Sequence, residues 1–255
     1  MKLGLIQGRL SRPIEGFQDT PEAWRREFAD LRDVGLNHIE WIITKESFST
    51  NPFFTENLKK YPIFSVCADN LVDKNIDDIN FVSNMLNPIC VSALNNDVEY
   101  VTIPLLEQSS LLDRNKRDRF KEILLYFLKQ YPTIKFSLEA EMPAKMIMNL
   151  ASISENCYVT YDTGNITSCG YNHEKYIECV FDKICNVHLK DRTLEGKTVI
   201  PSTGDTNFET IFKALTKNQY KGVFTLQTAR EKDGEEKTTI RKHTNILRGI
   251  YEKCI

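Results

Sequence analysis

Short apolar runs and longer amphipathic segments alternate along the whole chain, and that rhythm predicts its architecture. Runs rich in Val, Ile, Leu, Phe and Tyr fall at residues 2–7, 38–42, 63–67, 100–103, 134–138, 158–161, 184–189 and 223–226. Unbroken apolarity over so few residues marks a strand covered on both faces. Between the runs, segments 21–34, 77–94, 113–130, 143–152, 173–180, 208–217 and 239–253 have helical periodicity. Thr20 and Pro21 read as the N-cap and first residue of the first helix, and Gly35 closes it. Tyr131-Pro132 stops the longest helix. Strands joined in this way by helical crossovers are parallel. The reading is an α/β fold, a single (β/α)8 TIM barrel, with one domain over residues 1–255. An open doubly wound sheet is the structural alternative. It usually has fewer strands and often a glycine-rich first turn, which is missing after residue 7.

Composition narrows the function classes. Hydrophobic residues make up 41% and charged residues 27%, the balance of an ordinary globular protein. A net charge of −2 offers no basic excess for a nucleic acid. No run approaches the ~20 apolar residues of a membrane span, and Met1 to Ile6 is too short for a secretory signal. The seven cysteines are scattered, odd in number and never spaced C-x-x-C, as expected of reduced thiols in a cytoplasmic protein.

Four runs end on a side chain able to ligate a metal. Glu139 follows Phe136-Ser-Leu, Asp162 follows Tyr158-Val-Thr-Tyr, His188 follows Asn186-Val, and Gln227 follows Phe224-Thr-Leu. Parallel strands deliver all four to one rim, the carboxyl end of a barrel, where active sites lie. This oxygen and nitrogen set suits one divalent ion, Mn²⁺, Mg²⁺, Zn²⁺ or Co²⁺. Each residue also has a plainer reading. Glu139 equally fits a surface glutamate, Asp162 an Asx turn before Gly164, and His188 a structural histidine. Gln227 offers a carbonyl oxygen but no base.

A second constellation depends on closure. Arg9, Arg192 and Arg230 follow strands one, seven and eight, which a closed barrel makes neighbours. Three guanidiniums on one sector would bind a phosphate or carboxylate, helped by Ser202, Thr203 and Gly204 ahead of the helix at Phe208. Gln7, Glu40, Asp69 and Glu107 are further rim candidates. Trp24 and Trp41 fit either core packing or a stacking face for a sugar.

Together the motifs Ser137-Leu-Glu139, Asp162-Thr-Gly-Asn165, His188-Leu-Lys-Asp191, Gly204-Asp-Thr-Asn-Phe208 and Tyr220-Lys-Gly-Val-Phe-Thr-Leu-Gln227 resemble the xylose isomerase-like TIM-barrel superfamily of sugar (phosphate) isomerases and epimerases. Gln7-Gly-Arg-Leu-Ser11 and Ile39-Glu-Trp-Ile42 resemble a less characterised branch of it, so the likeness covers essentially the whole chain. The resemblance implies a metal held by Glu139, Asp162, His188 and Gln227, with Glu139 also moving a proton next to a carbonyl. Lys190 is expected to be catalytic beside Glu139, with Lys190 and Arg192 on substrate oxygens, and the strand-end arginines Arg9, Arg192 and Arg230 with Gln7 and Glu40 are the expected substrate or anion contacts. The expected partner is a small sugar or sugar phosphate, with no nucleic acid and no membrane; homo-oligomers are common among such barrels. The chain departs from the family at the last ligand, where Gln227 replaces a glutamate. That loss removes one base and one negative charge. A substitute base would have to come from Glu40, Glu107 or Asp191. A lyase, a hydrolase or a non-catalytic sugar binder are the competing expectations. With only four histidines, a three-zinc nuclease is disfavoured.

Overall fold

The computed structural model describes residues 1–12, 20–72 and 75–255. Eight parallel strands close into a barrel: β1 (Leu3–Ile6), β2 (Ile39–Ile42), β3 (Ile63–Cys67), β4 (Tyr100–Leu105), β5 (Lys135–Ala140), β6 (Cys157–Asp162), β7 (Ile184–Leu189) and β8 (Val223–Leu226). Each strand pairs with its sequence neighbours, and β8 returns to β1 through Leu3–Phe224, Gly4–Thr225 and Leu5–Leu226. The expected single (β/α)8 barrel is therefore the fold. Around it lie α1 (Trp24–Asp33), α2 (Ile79–Asn95), α3 (Arg114–Gln130), α4 (Ala144–Ala151), α5 (Thr163–Ser168), α6 (His173–Val180), α7 (Phe208–Lys217) and α8 (Glu236–Glu252). Among the described residues, no helix is long and apolar enough to cross a membrane.

Three elements differ from the sequence expectation. The first helix starts at Trp24 with no side-chain cap. Thr20 does not cap it, because its hydroxyl bonds Gln7 Oε1 at 3.5 Å and accepts from Asn51 Nδ2 at 2.9 Å. The β2–β3 crossover holds only a 3₁₀ turn, Pro52–Phe54. The extra helix α5 is short and carries no amphipathic stripe, so periodicity cannot reveal it. It forms because the Asp162 side chain caps Asn165 N at 2.7 Å.

The apolar core lies between strands and helices. Trp24 and Trp41 belong to it, with ring centroids 5.4 Å apart and Phe28 against both, so neither offers a face to a sugar. The inside of the barrel is different. Glu40, Ser65, Ser137, Thr160, Asn186, His188 and Thr225 are all buried. Alternate strand residues share a face, so these single polar residues within apolar runs line a polar lumen. Polar groups so buried must bond one another. Ser137 Oγ meets Thr160 Oγ1 at 2.6 Å, and His38 Nε2 meets Thr225 Oγ1 at 3.1 Å. Gly4 is required beside that imidazole, since a Cβ there would stand 2.3 Å from the His38 ring.

Candidate functional site

Register brings the candidate ligands together. Asp162 of β6 is the direct partner of His188 on β7, and Glu139 lies on β5, the strand on the other side of β6. Both carboxylates belong to their strands rather than to loops, so backbone pairing fixes them. The three side chains place one potential ligand atom each within 4.8 Å of one another, and all are buried. His188 Nδ1 stands 3.5 Å from Glu139 Oε2 and 3.8 Å from Asp162 Oδ2. Two donors held tetrahedrally about 2.1 Å from one ion are about 3.4 Å apart, so the cluster needs little movement to close on a divalent cation. His188 Nδ1 and Gln227 Oε1 are buried without a hydrogen bond. An imidazole nitrogen facing two buried carboxylates can exchange its proton for a cation, and this donor set fits one.

Each ligand is held from behind. Asn165 ties two of them, its amide Nδ2 donating to Glu139 Oε1 at 2.9 Å and its backbone N–H to Asp162 at 2.7 Å. Within the motif Asp162-Thr-Gly-Asn165 the sequence alone assigns Asn165 no role. Its signal was the three-residue spacing from Asp162, which is a capping distance. His188 Nε2 lies 3.2 Å from Glu40 Oε2. Lys190 Nζ pairs with Asp162 Oδ2 at 3.0 Å.

Electrostatics follow from this crowding. Burial would raise the Asp162 carboxyl, but Lys190 and His188 outweigh it and hold it well below the usual range. Burial would depress the His188 imidazole, yet the Glu40 and Glu139 carboxylates push it well above its ordinary value. Glu40 is fully buried, a cost more than offset by His188 and Ser65, and it stays ionised at neutral pH. Asp69, half-buried just beyond β3, is raised to about 6, first by burial and then by Glu139, Glu46 and Glu107.

Other expected site residues are placed elsewhere. Glu40 lies 0% exposed inside the lumen, bonded by Ser65, Asn186 and His188, and cannot meet a substrate at the rim. Gln7 is buried and accepts from Ile42 N at 3.1 Å, tying β1 to β2. The three arginines do not converge. Arg230 donates to Ser11 O at 2.9 Å and to Gly8 O, and Arg9 Nε donates to Thr228 O at 3.2 Å. These two adjoin Glu27, which accepts from Gly8 N and Leu10 N. Burial, and then Arg230, lowers Arg9 to about 9. Arg192 sits apart, paired with Glu141 at 3.2 Å and near Ser168. The expected anion donors Thr203 N and Gly204 N both bond Asp191, as does Thr206 N. Asp191 is consequently committed to a loop and is unavailable as a substitute base. Glu107 is exposed, at the start of a 3₁₀ turn.

A family model described as a xylose isomerase-like TIM barrel matches residues 137–250, which include all four strand-end candidates. No curated protein matches the chain. Among solved structures, an L-ribulose 3-epimerase superposes with a TM-score of 0.74 at 13% identity, covering 99% of this chain and 95% of its own. A D-tagatose 3-epimerase-like protein gives 0.73 at 18% identity, covering 100% and 98%. The IolI protein with a bound zinc atom gives 0.76 at 14% identity, covering 100% and 99%. At these identities the likeness establishes the fold.

Proposed function

We propose that this chain, a xylose isomerase-like TIM barrel, is a divalent-metal-dependent isomerase acting on an uncharged sugar. The observation that carries the reading is the buried convergence of Glu139, Asp162 and His188 at the carboxyl end of three adjacent strands. The epimerase folds and the zinc-bound relative support it. A divalent ion held by these three, with the Gln227 amide oxygen as a fourth donor, supplies Lewis-acid polarisation of a carbonyl and neighbouring hydroxyl. Glu139 takes the proton from the carbon beside the carbonyl and returns it to the former carbonyl carbon, while the hydroxyl proton of the first carbon passes to the former carbonyl oxygen. Asn165 donates to Glu139 Oε1 and so fixes the orientation of this carboxylate. Lys190, buried at 7% exposure beside Asp162, places positive charge where substrate oxygens gain negative charge.

Two features set the reaction and the substrate. With glutamine at 227, with Glu40 and Asp191 otherwise committed and with Glu107 exposed in a 3₁₀ turn, Glu139 is the base this reading assigns to the site. A single base shuttling between adjacent carbons interconverts aldose and ketose, whereas inversion at one carbon needs groups on both faces. The arginines expected to hold a phosphate are bonded to backbone carbonyls and to Glu141. Glu46, Glu107 and Glu139 all raise Asp69, with Lys45 opposing them, so this sector of the rim is acidic and is a poor place for a dianionic phosphate. A neutral sugar is the better fit than the sugar phosphate expected from three clustered arginines.

The test is deuterium uptake from D2O into free aldoses and ketoses, and into their phosphate esters, with Mn²⁺, Zn²⁺, Mg²⁺ or Co²⁺, followed by proton NMR. Uptake next to the carbonyl of a free sugar is expected, with loss in Glu139→Gln. Exchange confined to phosphate esters would reverse the substrate assignment. Tight sugar binding without exchange would favour the non-catalytic reading that Gln227 keeps alive.

A further inference from the structure

Glu40 is 0% exposed, and nothing in the proton transfer uses it. Three donors converge on this one carboxylate inside the lumen. Ser65 Oγ and Asn186 Nδ2 each reach Oε2 at 2.7 Å, and His188 Nε2 reaches it at 3.2 Å. Behind Asn186 the chain continues. Thr225 Oγ1 donates to Asn186 Oδ1 at 2.9 Å, and His38 Nε2 meets Thr225 Oγ1 at 3.1 Å. Every member has one consistent direction. A carboxylate only accepts, so Asn186 must present its NH2 to Glu40 and its carbonyl to Thr225. The Thr225 hydroxyl is then left to accept from His38. The strands supplying these groups, β2, β3, β7 and β8, lie on both sides of the barrel, so the network spans its interior.

We infer that Glu40 is the positioning residue of the metal centre: it fixes the His188 proton on Nε2, leaves Nδ1 bare toward Glu139 and Asp162, and supplies from outside the ligand set the negative charge that Gln227 lacks. The inference rests on the metal reading above. The tautomer argument is geometric, since Nε2 faces an acceptor-only group while Nδ1 has no hydrogen bond and faces two further carboxylates. Histidine ligands are generally oriented this way by a carboxylate behind them. The charge argument is a count. Glu40, Glu139 and Asp162 carry three negative charges. Lys190 and a divalent ion carry three positive ones, and with His188 neutral the buried assembly is balanced. A glutamate at 227 would leave it one charge negative. Glutamine at the last position and a buried glutamate at position 40 are then parts of one electrostatic design.

Glu40→Gln separates this from packing, because the amide is isosteric and can still accept from Nε2. Zinc affinity of the native protein and of Glu40→Gln is measured by competition with a chromophoric chelator. The His188 tautomer is read in parallel by nitrogen-15 NMR of histidine-labelled protein at alkaline pH without metal. The expected results are a 10- to 100-fold weaker zinc affinity in Glu40→Gln and an Nε2–H tautomer in the native protein. Ser65→Ala, which removes one donor and keeps the carboxylate, is expected to move zinc affinity by only a few fold and guards against a misfolded Glu40→Gln. Unchanged zinc affinity in folded Glu40→Gln, or an Nδ1–H tautomer in the native protein, overturns the inference. So does a loss of affinity in Ser65→Ala equal to that in Glu40→Gln. Native protein that binds no zinc yet shows the Nε2–H tautomer would refute the metal reading while the orienting role of Glu40 stands.

Discussion

Replacing Lys190 by methionine tests whether its ammonium is the resident counter-ion of the centre. Lys190 Nζ and Asp162 Oδ2 are 3.0 Å apart with both side chains nearly excluded from water. At an effective dielectric of about 20, that separation corresponds to about 5.5 kcal/mol of attraction. Removing one partner of a buried pair typically costs about 3–5 kcal/mol, because the other charge stays buried. Asp162 keeps two other stabilising neighbours, Asn165 N at 2.7 Å and His188 Nδ1 at 3.8 Å, which places the expected loss at the lower end, about 3 kcal/mol. For a chain of this size each kcal/mol shifts the melting temperature by about 2–4 °C, so Lys190→Met in EDTA should melt about 6–12 °C below the native protein. A divalent ion changes the balance. In the variant it meets no ammonium and replaces the missing cation, and ligand at 100 times its Kd adds about 2.7 kcal/mol. The melting gap should therefore narrow sharply with saturating Zn²⁺ or Mn²⁺. Differential scanning calorimetry with EDTA and with each metal measures both numbers. A gap under about 2 °C in EDTA, or one that metal leaves unchanged, refutes the reasoning.

Acid stability gives a second check. His38 and His173 are each depressed to about 4, in both cases chiefly by burial. Below pH 6.5 the unfolded chain takes up these protons and the folded chain does not, so stability falls between pH 6.5 and 4, by up to about 3 kcal/mol for each histidine. Asp69, raised to about 6, works in the opposite direction between pH 6 and 3.8 and is partly solvated, so it offsets less than one histidine. Urea unfolding at pH 7, 5.5 and 4.5 should show a net decline of about 3 kcal/mol; a flat or rising series contradicts the buried neutral state of these rings. In the lumen, Gly4→Ala should destabilise by about 1–3 kcal/mol through overpacking, because its new Cβ would stand 2.3 Å from the His38 ring. Thermal melts check this, and the paired change Gly4→Ala with His38→Ser should recover most of the loss. A Gly4→Ala protein as stable as the native one would mean the ring moves aside freely.

The barrel was legible because both its periodicities are physical: strands buried on two faces must be apolar throughout, and crossover helices must present one apolar stripe. The same logic exposed Glu139, Asp162 and His188, whose polar ends on apolar runs have few explanations other than chemistry. It failed where a contact depends on residues far apart in the chain. Arg9 and Arg230 resembled an anion site only until closure brought Thr228 O, Ser11 O and Gly8 O, about 220 residues away in sequence, within reach of them. A guanidinium at a barrel rim meets loop carbonyls as readily as a ligand, and sequence does not distinguish the two. Glu40 shows a subtler limit. It interrupts Ile39-Glu-Trp-Ile42 and from sequence is a candidate rim group, yet it lies in mid-strand, buried in the lumen. A clue was available, since Ser65, Ser137, Thr160, Asn186 and Thr225 each place one polar residue inside an otherwise apolar run. Lone polar residues recurring in successive strands of a closed barrel cannot all face the helices, where nothing would satisfy them. They must face one another inside. An ionised group among them is then directed at the site above, where its bonded partner His188 stands.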